Sequence, residues 1–264
     1  MTRETTKGPS ITEQRLRSDL EGLGVKEGDM LVVHSSLSSL GWVLGGAPTV
    51  VRAVLGALGS TGTLVMPAAT PQCGEPTMGP DRSADESHLG EVRDHLPVFD
   101  PQTTPTSLGA IPETFRTWPG TLRSHHPLES ICARGPIAQR IVRDHPLAFS
   151  EGPGSPFDKL YQSGARVLLL GVGFNRCTAL HFAESLVARR RTMKIGFHVM
   201  EPGGRTWVEV ANVADDNDTH FPVVGDRYLE QGEAVVGSVG SAQAILFSMT
   251  SLVDFARDYF DKVL

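Results

Sequence analysis

Cysteine is scarce in this chain: Cys73, Cys132 and Cys177 are the three in 264 residues. An odd, sparse set without metal-ligand spacing excludes a disulfide framework and reads as reduced thiols in a cytoplasmic protein. Long apolar runs are missing too. The longest, Met30-Leu31-Val32-Val33 and Val167-Leu168-Leu169-Leu170, are of strand length, far short of the ~20 residues a transmembrane helix needs. Met1 to Ser10 is polar and lacks the apolar core of a signal peptide. Nor is there an excess of basic charge, since 24 Lys and Arg against 30 Asp and Glu leave a formal −6. Without a basic stripe to release counterions, no nucleic-acid partner is expected, while a cationic small molecule is compatible with the balance. The Gly-Lys-Ser/Thr ending of a phosphate-binding loop and the dinucleotide-binding glycine spacing are both absent. No internal repeat or low-complexity linker divides the chain.

What is present is an alternation of strand and helix signals. Ser10-Ile11-Thr12-Glu13 reads as a capping box opening a helix with Leu16, Leu20 and Leu23 on one face and Gly22/Gly24 at its end. Met30 to His34 reads as a strand buried on both faces. A helix from Ala47 and a strand over Thr63 to Pro67 complete a βαβ unit, which implies a right-handed crossover in a parallel sheet. The pattern returns as a strand over Arg166 to Gly171 and a helix from Thr178 to about Arg190. Ile195 to Met200 and Thr206 to Val210, joined through Glu201-Pro202-Gly203-Gly204, read as an antiparallel hairpin. A last helix is expected over Gln243 to about Lys262. The expected architecture is a single α/β domain, with a central mixed sheet of parallel βαβ units plus an antiparallel hairpin portion, flanked by helices. The polar, Pro- and Gly-rich segment 68–97 reads as a variable insertion shaping the substrate site.

Four constellations could carry chemistry. The first is the loop His34-Ser35-Ser36-Leu37-Ser38-Ser39-Leu40-Gly41 at a strand's carboxyl end, which suits an anionic ligand or is a plain turn. The second is Thr178-Ala179-Leu180-His181-Phe182-Ala183-Glu184. His181 there falls at the crevice where open α/β sheets bind ligands, and Glu184 shares its helix face, as a general base and its orienting acid require. Cys177, four residues before His181, is the alternative nucleophile. The third, Asp215-Asp216-Asn217-Asp218, would present charge to ammonium groups or a metal, or be a solvated turn. The fourth, His125-His126-Pro127 with His145-Pro146, lacks a third ligand at metal spacing, so no metal is expected.

Taken together, these blocks resemble the aminoglycoside 3-N-acetyltransferase family. The resemblance runs through His34 to Gly41, Gly45-Gly46, Gly62 to Pro67, Phe99-Asp100-Pro101 and Thr104 to Arg116. It continues through Arg123 to Pro127, Gly154-Ser155-Pro156, Leu168 to Gly173, Thr178 to Glu184 and Asn217 to Phe221. It implies an acetyl-CoA-dependent enzyme that acetylates the 3-amino group of aminoglycoside antibiotics. His181 is implied as catalytic, Glu184 as its companion, and His34 as a further catalytic candidate. Ser35, Ser36, Leu37 and Ser38 with Thr106, Ser107 and Gly109 are implied for the cofactor, and Thr178, Asp216, Asn217 and Asp218 for the drug. Backbone N–H groups near Ser36 and Leu37, or the Ser107 hydroxyl, are the expected oxyanion donors. No membrane partner is implied, and the chain is expected as a monomer or homodimer. The alternatives are acetyl transfer to a non-antibiotic amine and a CoA- or drug-binding protein without turnover.

Overall fold

The computed structural model describes residues 9–75, 89–214 and 217–264. The first helix, α1 (Glu13–Leu23), buries Leu16, Leu20 and Leu23 and closes on Gly24 in the left-handed region. Its cap is Thr12, whose hydroxyl accepts the Arg15 N–H at 3.2 Å, rather than the Ser10–Glu13 box the sequence suggests. The reason is that Ile11 bridges Val43 in parallel fashion, which keeps the chain extended up to Thr12.

Next come β1 (Met30–Ser35), α2 (Ala47–Leu58) and β2 (Thr63–Pro67), with β1 and β2 parallel as the βαβ pattern predicts. They are followed by α3 (Leu89–His95), α4 (Ala110–Arg116), β3 (Leu122–Arg123), β4 (Ile131–Arg134), α5 (Ala138–Val142), α6 (Pro156–Gln162) and β5 (Arg166–Leu170). The chain ends with α7 (Ala179–Ser185), the hairpin β6 (Thr192–Glu201) and β7 (Gly204–Val213), α8 (Phe221–Glu230), β8 (Val235–Val239), β9 (Ala242–Ser248) and α9 (Met249–Val263). Seven strands form one mixed sheet in the order β3-β4-β2-β1-β5-β9-β8, in which β2, β1 and β5 run parallel and each outer strand pairs antiparallel with its inner neighbour.

Two expected helices come out differently. The segment Gln243 to Lys262 divides into β9 and α9, because Ala244 to Ser248 pairs antiparallel with β5 and only Ser248 begins the helix cap. The four-residue apolar run Ala244 to Phe247 is ambiguous until a partner strand is supplied, and here β5 supplies it. The helix after Thr178 stops at Ser185 instead of Arg190, since the chain must turn to enter β6 at Thr192.

Alternation along the buried strands sends side chains to both faces. Leu31, Val33, Leu168 and Leu170 pack with α1, α2 and α4 on one face. Val32, Val167 and Leu169 pack with α5 to α9 on the other. Each fully buried side chain of this size contributes about 1.5–3 kcal/mol, so the two cores hold the sheet rigid under its loops. The hairpin forms a separate small core through Ile195, Phe197, Cys73 and Leu128. Part of the 68–97 segment is anchored against it, with Gly74 bridging Phe197 and Glu75 N–H donating to the Gly196 carbonyl at 3.1 Å.

Packing is tight where α8 crosses the β5–α7 connection. A Cβ on Gly225 would sit 2.2 Å from the Phe174 ring, which itself stacks on Phe247 at 5.5 Å. Gly225→Ala is therefore expected to cost about 1–3 kcal/mol through overpacking. A urea titration checks this, and an unchanged midpoint refutes it.

Candidate active site

The chain leaves β1 for β2 on one side and later fills the other side of β1 with β5. Loops from the carboxyl ends of β1 and β5 therefore diverge, which opens a crevice at the switch in strand order. A cavity of about 650 Å³ lies there, walled by residues from the end of β1, the loop after β5, the hairpin and the segments before α4 and α6.

His34 reaches this cavity because it shares the face of Val32, two residues earlier on β1. It is buried, and burial lowers its imidazole from the usual 6.5 to about 4, so at neutral pH it is uncharged. His34 Nε2 and the Ser35 hydroxyl are both buried cavity-wall atoms without a hydrogen-bond partner in the protein. Orphaned polar atoms of this kind cost about 1–3 kcal/mol each unless a ligand satisfies them. The turn that follows is tied together: Ser36 Oγ lies 3.1 Å from Ser38 Oγ, and Ser39 Oγ is 3.0 Å from both Ser36 Oγ and the Gly171 carbonyl. Gly171, at φ +72°, has no room for a Cβ, which would fall 2.6 Å from that of Ser39. Ser36, Leu37 and Ser38 are not in the cavity wall. The expectation that the Ser36 N–H serves as an oxyanion donor is corrected, because it donates to the Leu170 carbonyl at 3.0 Å and so continues the β1–β5 ladder.

His181 sits on α7 with its side chain 15% exposed, and it borders the cavity together with Thr178. Its ring meets Phe221 edge-on at 4.7 Å. Glu184 is 1% exposed and turns inward, with Oε2 3.6 Å from His181 Nδ1. That separation is electrostatic contact rather than a hydrogen bond. Oε1 faces Arg191 Nη2 at 3.2 Å, so the carboxylate is held from behind while its other oxygen addresses the imidazole. Cys177 is wholly buried in the core, and burial pushes its thiol up to about 12. A thiol that does not ionise and does not reach the cavity is no nucleophile.

Ser107 and Gly109 also line the cavity, while Thr106 is buried, with Oγ1 donating to the Ala69 carbonyl at 2.8 Å. Asn217 also lines it. Asp218 is exposed and accepts from Asn175 Nδ2 at 3.1 Å, and Asp216 lies outside the described residues. Five polar residues of the wall, Glu129, Ser130, Glu151, Arg176 and Asn212, escape the sequence reading. Nothing in local periodicity marks them; Glu151 in particular precedes the Ser155 cap of α6, where an acid reads as a turn residue. Among the described residues, no group of three His, Cys, Asp or Glu is arranged to hold a metal ion, and no helix is long and apolar enough to cross a membrane.

Comparison with known proteins agrees with this geometry. A sequence model of the family described as aminoglycoside 3-N-acetyltransferase matches residues 32–261. The SPbeta prophage-derived aminoglycoside N(3')-acetyltransferase-like protein YokD of Bacillus subtilis is 37% identical, over 97% of this chain and 94% of its own. Aminoglycoside N(3)-acetyltransferase VIII of Streptomyces fradiae is 33% identical, over 98% and 94%. The crystal structure of YokD superposes with a TM-score of 0.92 at 36% identity, covering 97% of this chain and 96% of that one. A binary complex of AAC-IIIb with CoASH gives 0.86 at 30% identity, covering 97% and 98%. AAC-VIa bound to sisomicin gives 0.86 at 28%, covering 97% and 99%.

Proposed function

The chain belongs to the aminoglycoside 3-N-acetyltransferase family, and from that premise we propose that it acetylates the 3-amino group of an aminoglycoside by direct transfer, with His181 as general base. It is an acyltransferase, and acetyl-CoA is its co-substrate. The observation that carries the mechanism is the placing of His181: partly exposed, at the cavity wall, with the buried Glu184 behind its Nδ1.

In this reading the drug's amine attacks the thioester carbonyl. A C–N bond forms, the C–S bond breaks, the amine proton passes to His181, and the imidazolium returns it to the departing CoA sulfur. A positioned base contributes roughly 10²–10⁴-fold. Glu184 stabilises the imidazolium that forms and fixes the ring's orientation. The developing oxyanion needs a donor other than the Ser36 N–H. We assign that role to the Ser107 hydroxyl at the cavity wall, whose proton would turn from its long 3.3 Å contact with the Ala69 carbonyl to the oxyanion.

Ser35 with Ser36, Leu37, Ser38, Thr106, Ser107 and Gly109 is assigned to the cofactor. Thr178, Asp216, Asn217 and Asp218 are assigned to the drug. Acetylation removes one positive charge and so weakens the drug's hold on RNA phosphates, which is the basis of resistance.

The test is release of free CoA from acetyl-CoA, followed by a thiol dye, across a panel of aminoglycosides. Drug-dependent release is expected. Binding of acetyl-CoA without release on any drug would overturn the proposal.

A further inference from the structure

The buried acid of the cavity that the mechanism leaves unused is Glu151. It is 5% exposed and lines the wall, and the one polar contact on its carboxylate is the Ser150 hydroxyl, which donates to Oε2 at 2.6 Å. No cation is paired with it among the described residues. A buried carboxylate with a single neutral donor is undercompensated, and an arriving cation restores the balance.

Its position is built rather than incidental, because every polar group of Ser150 is engaged. The Ser150 N–H donates to Asn212 Oδ1 at 3.2 Å, its hydroxyl lies 3.0 Å from Asn212 Nδ2, and its carbonyl faces His145 Nε2 at 2.8 Å. The preceding residue, Phe149, is held at φ +49°, a conformation that non-glycine residues rarely adopt, and its N–H donates to the Ala211 carbonyl at 2.9 Å. Backbone strain of this kind persists where surrounding contacts over-determine it. A second observation points to a ligand in the same cavity: His34 Nε2, on a side chain that is 8% exposed, has no protein partner there.

We propose that Glu151 is a specificity-determining carboxylate that receives a second, non-reacting ammonium of the aminoglycoside, with Ser150 and Asn212 as its positioning residues. This rests on the acetyl-transfer reading above, and it deepens that reading by naming where a polyamine substrate is held. A bidentate or monodentate ammonium–carboxylate contact in a water-poor wall is among the stronger polar interactions. Its loss reads as a change in drug affinity, while the general base is left in place.

The experiment compares wild type with Glu151→Gln and Glu151→Asp. KM and kcat are measured for a panel that includes sisomicin and matched drug pairs differing by one amino-to-hydroxyl exchange. Calorimetric binding of sisomicin to the CoA-loaded protein and a melting curve are recorded alongside. Gln keeps the shape and the Ser150 contact but loses the charge. Expected are a drug KM and Kd raised by about 10–100-fold, an acetyl-CoA KM within about two-fold, and partial recovery in Glu151→Asp. Discrimination within at least one matched pair should also fall.

Unchanged drug affinity in Glu151→Gln overturns the proposal. So does an Asp variant no better than Gln, or a fall confined to kcat and melting temperature, which would mark Glu151 as structural. If the wild type releases CoA with no drug, the acetyl-transfer reading fails, and the sisomicin titration still decides whether Glu151 holds an ammonium.

Discussion

Replacing His181 with alanine is expected to lower kcat by about 10²–10⁴-fold, the contribution of a positioned general base, while the Kd of acetyl-CoA stays within about two-fold. The asymmetry follows from the geometry. His181 meets the cavity from α7, while Ser107 and Gly109 come from the segment before α4, and behind the ring lie Phe221 and Glu184. Truncation removes the proton acceptor and leaves the orphaned His34 and Ser35 atoms where they are. The variant's residual rate should still rise with pH as more of the drug's amine is free to attack, which a rate–pH profile of the variant will reveal. Near-wild-type turnover in His181→Ala would sink the general-base assignment. Weakened acetyl-CoA binding of the same size as the kcat loss would move His181 to a binding role.

Acidification is expected to unfold the protein between about pH 5 and pH 4, through three buried histidines. Burial lowers His34 and His126 from 6.5 to about 4, and burial together with the neighbouring His126 lowers His145 to about 3. The native state keeps these rings neutral, while the unfolded chain protonates them below about pH 6.5. Their contribution to stability is therefore complete above 6.5 and declines as pH falls towards 4. At pH 5 the cost is about 2 kcal/mol per ring, or about 6 kcal/mol for three, against a typical total of 5–15 kcal/mol.

The hydrogen bonds explain why the rings resist a second proton. His126 Nδ1 accepts the N–H groups of Leu128 and Glu129, which leaves Nε2–H to donate to the Leu147 carbonyl. Ser124 accepts the Ile131 N–H and so turns its own hydroxyl proton to His145 Nδ1, whose Nε2–H donates to the Ser150 carbonyl. A proton added at either Nδ1 would face donors. Urea midpoints at pH 7.5, 6 and 5 measure the effect, and a flat profile would refute it. His145→Asn should lessen the slope by about 1.4 kcal/mol per pH unit, one proton's worth.

How much of this was legible without the fold depends on the range of each interaction. Met30 to His34 and Arg166 to Gly171 read as buried strands because continuous apolar runs have no other home. The βαβ crossover followed from chirality, and the hairpin through Ile195 to Met200 and Thr206 to Val210 followed from alternation and its Glu201-Pro202-Gly203-Gly204 turn. The blocks carrying the family resemblance also lie in short stretches, so His181, Thr178, Ser107 and His34 could be named from the sequence, and the cavity wall gathers them.

Tertiary structure decided the rest. Whether Ala244 to Phe247 was strand or helix depended on β5, 74 or more residues earlier in the chain. Whether the Ser36 N–H was available depended on the Leu170 carbonyl. Glu184 could have faced solvent at its i+3 position; burial against Arg191 turned it to His181 instead. Glu151 and Asn212, 61 positions apart, meet through Ser150 because the end of β7 docks on the loop before α6. Local periodicity encodes which face of an element is buried. The partners of a polar atom on that face come from distant segments, and only the packed chain brings them within hydrogen-bond distance.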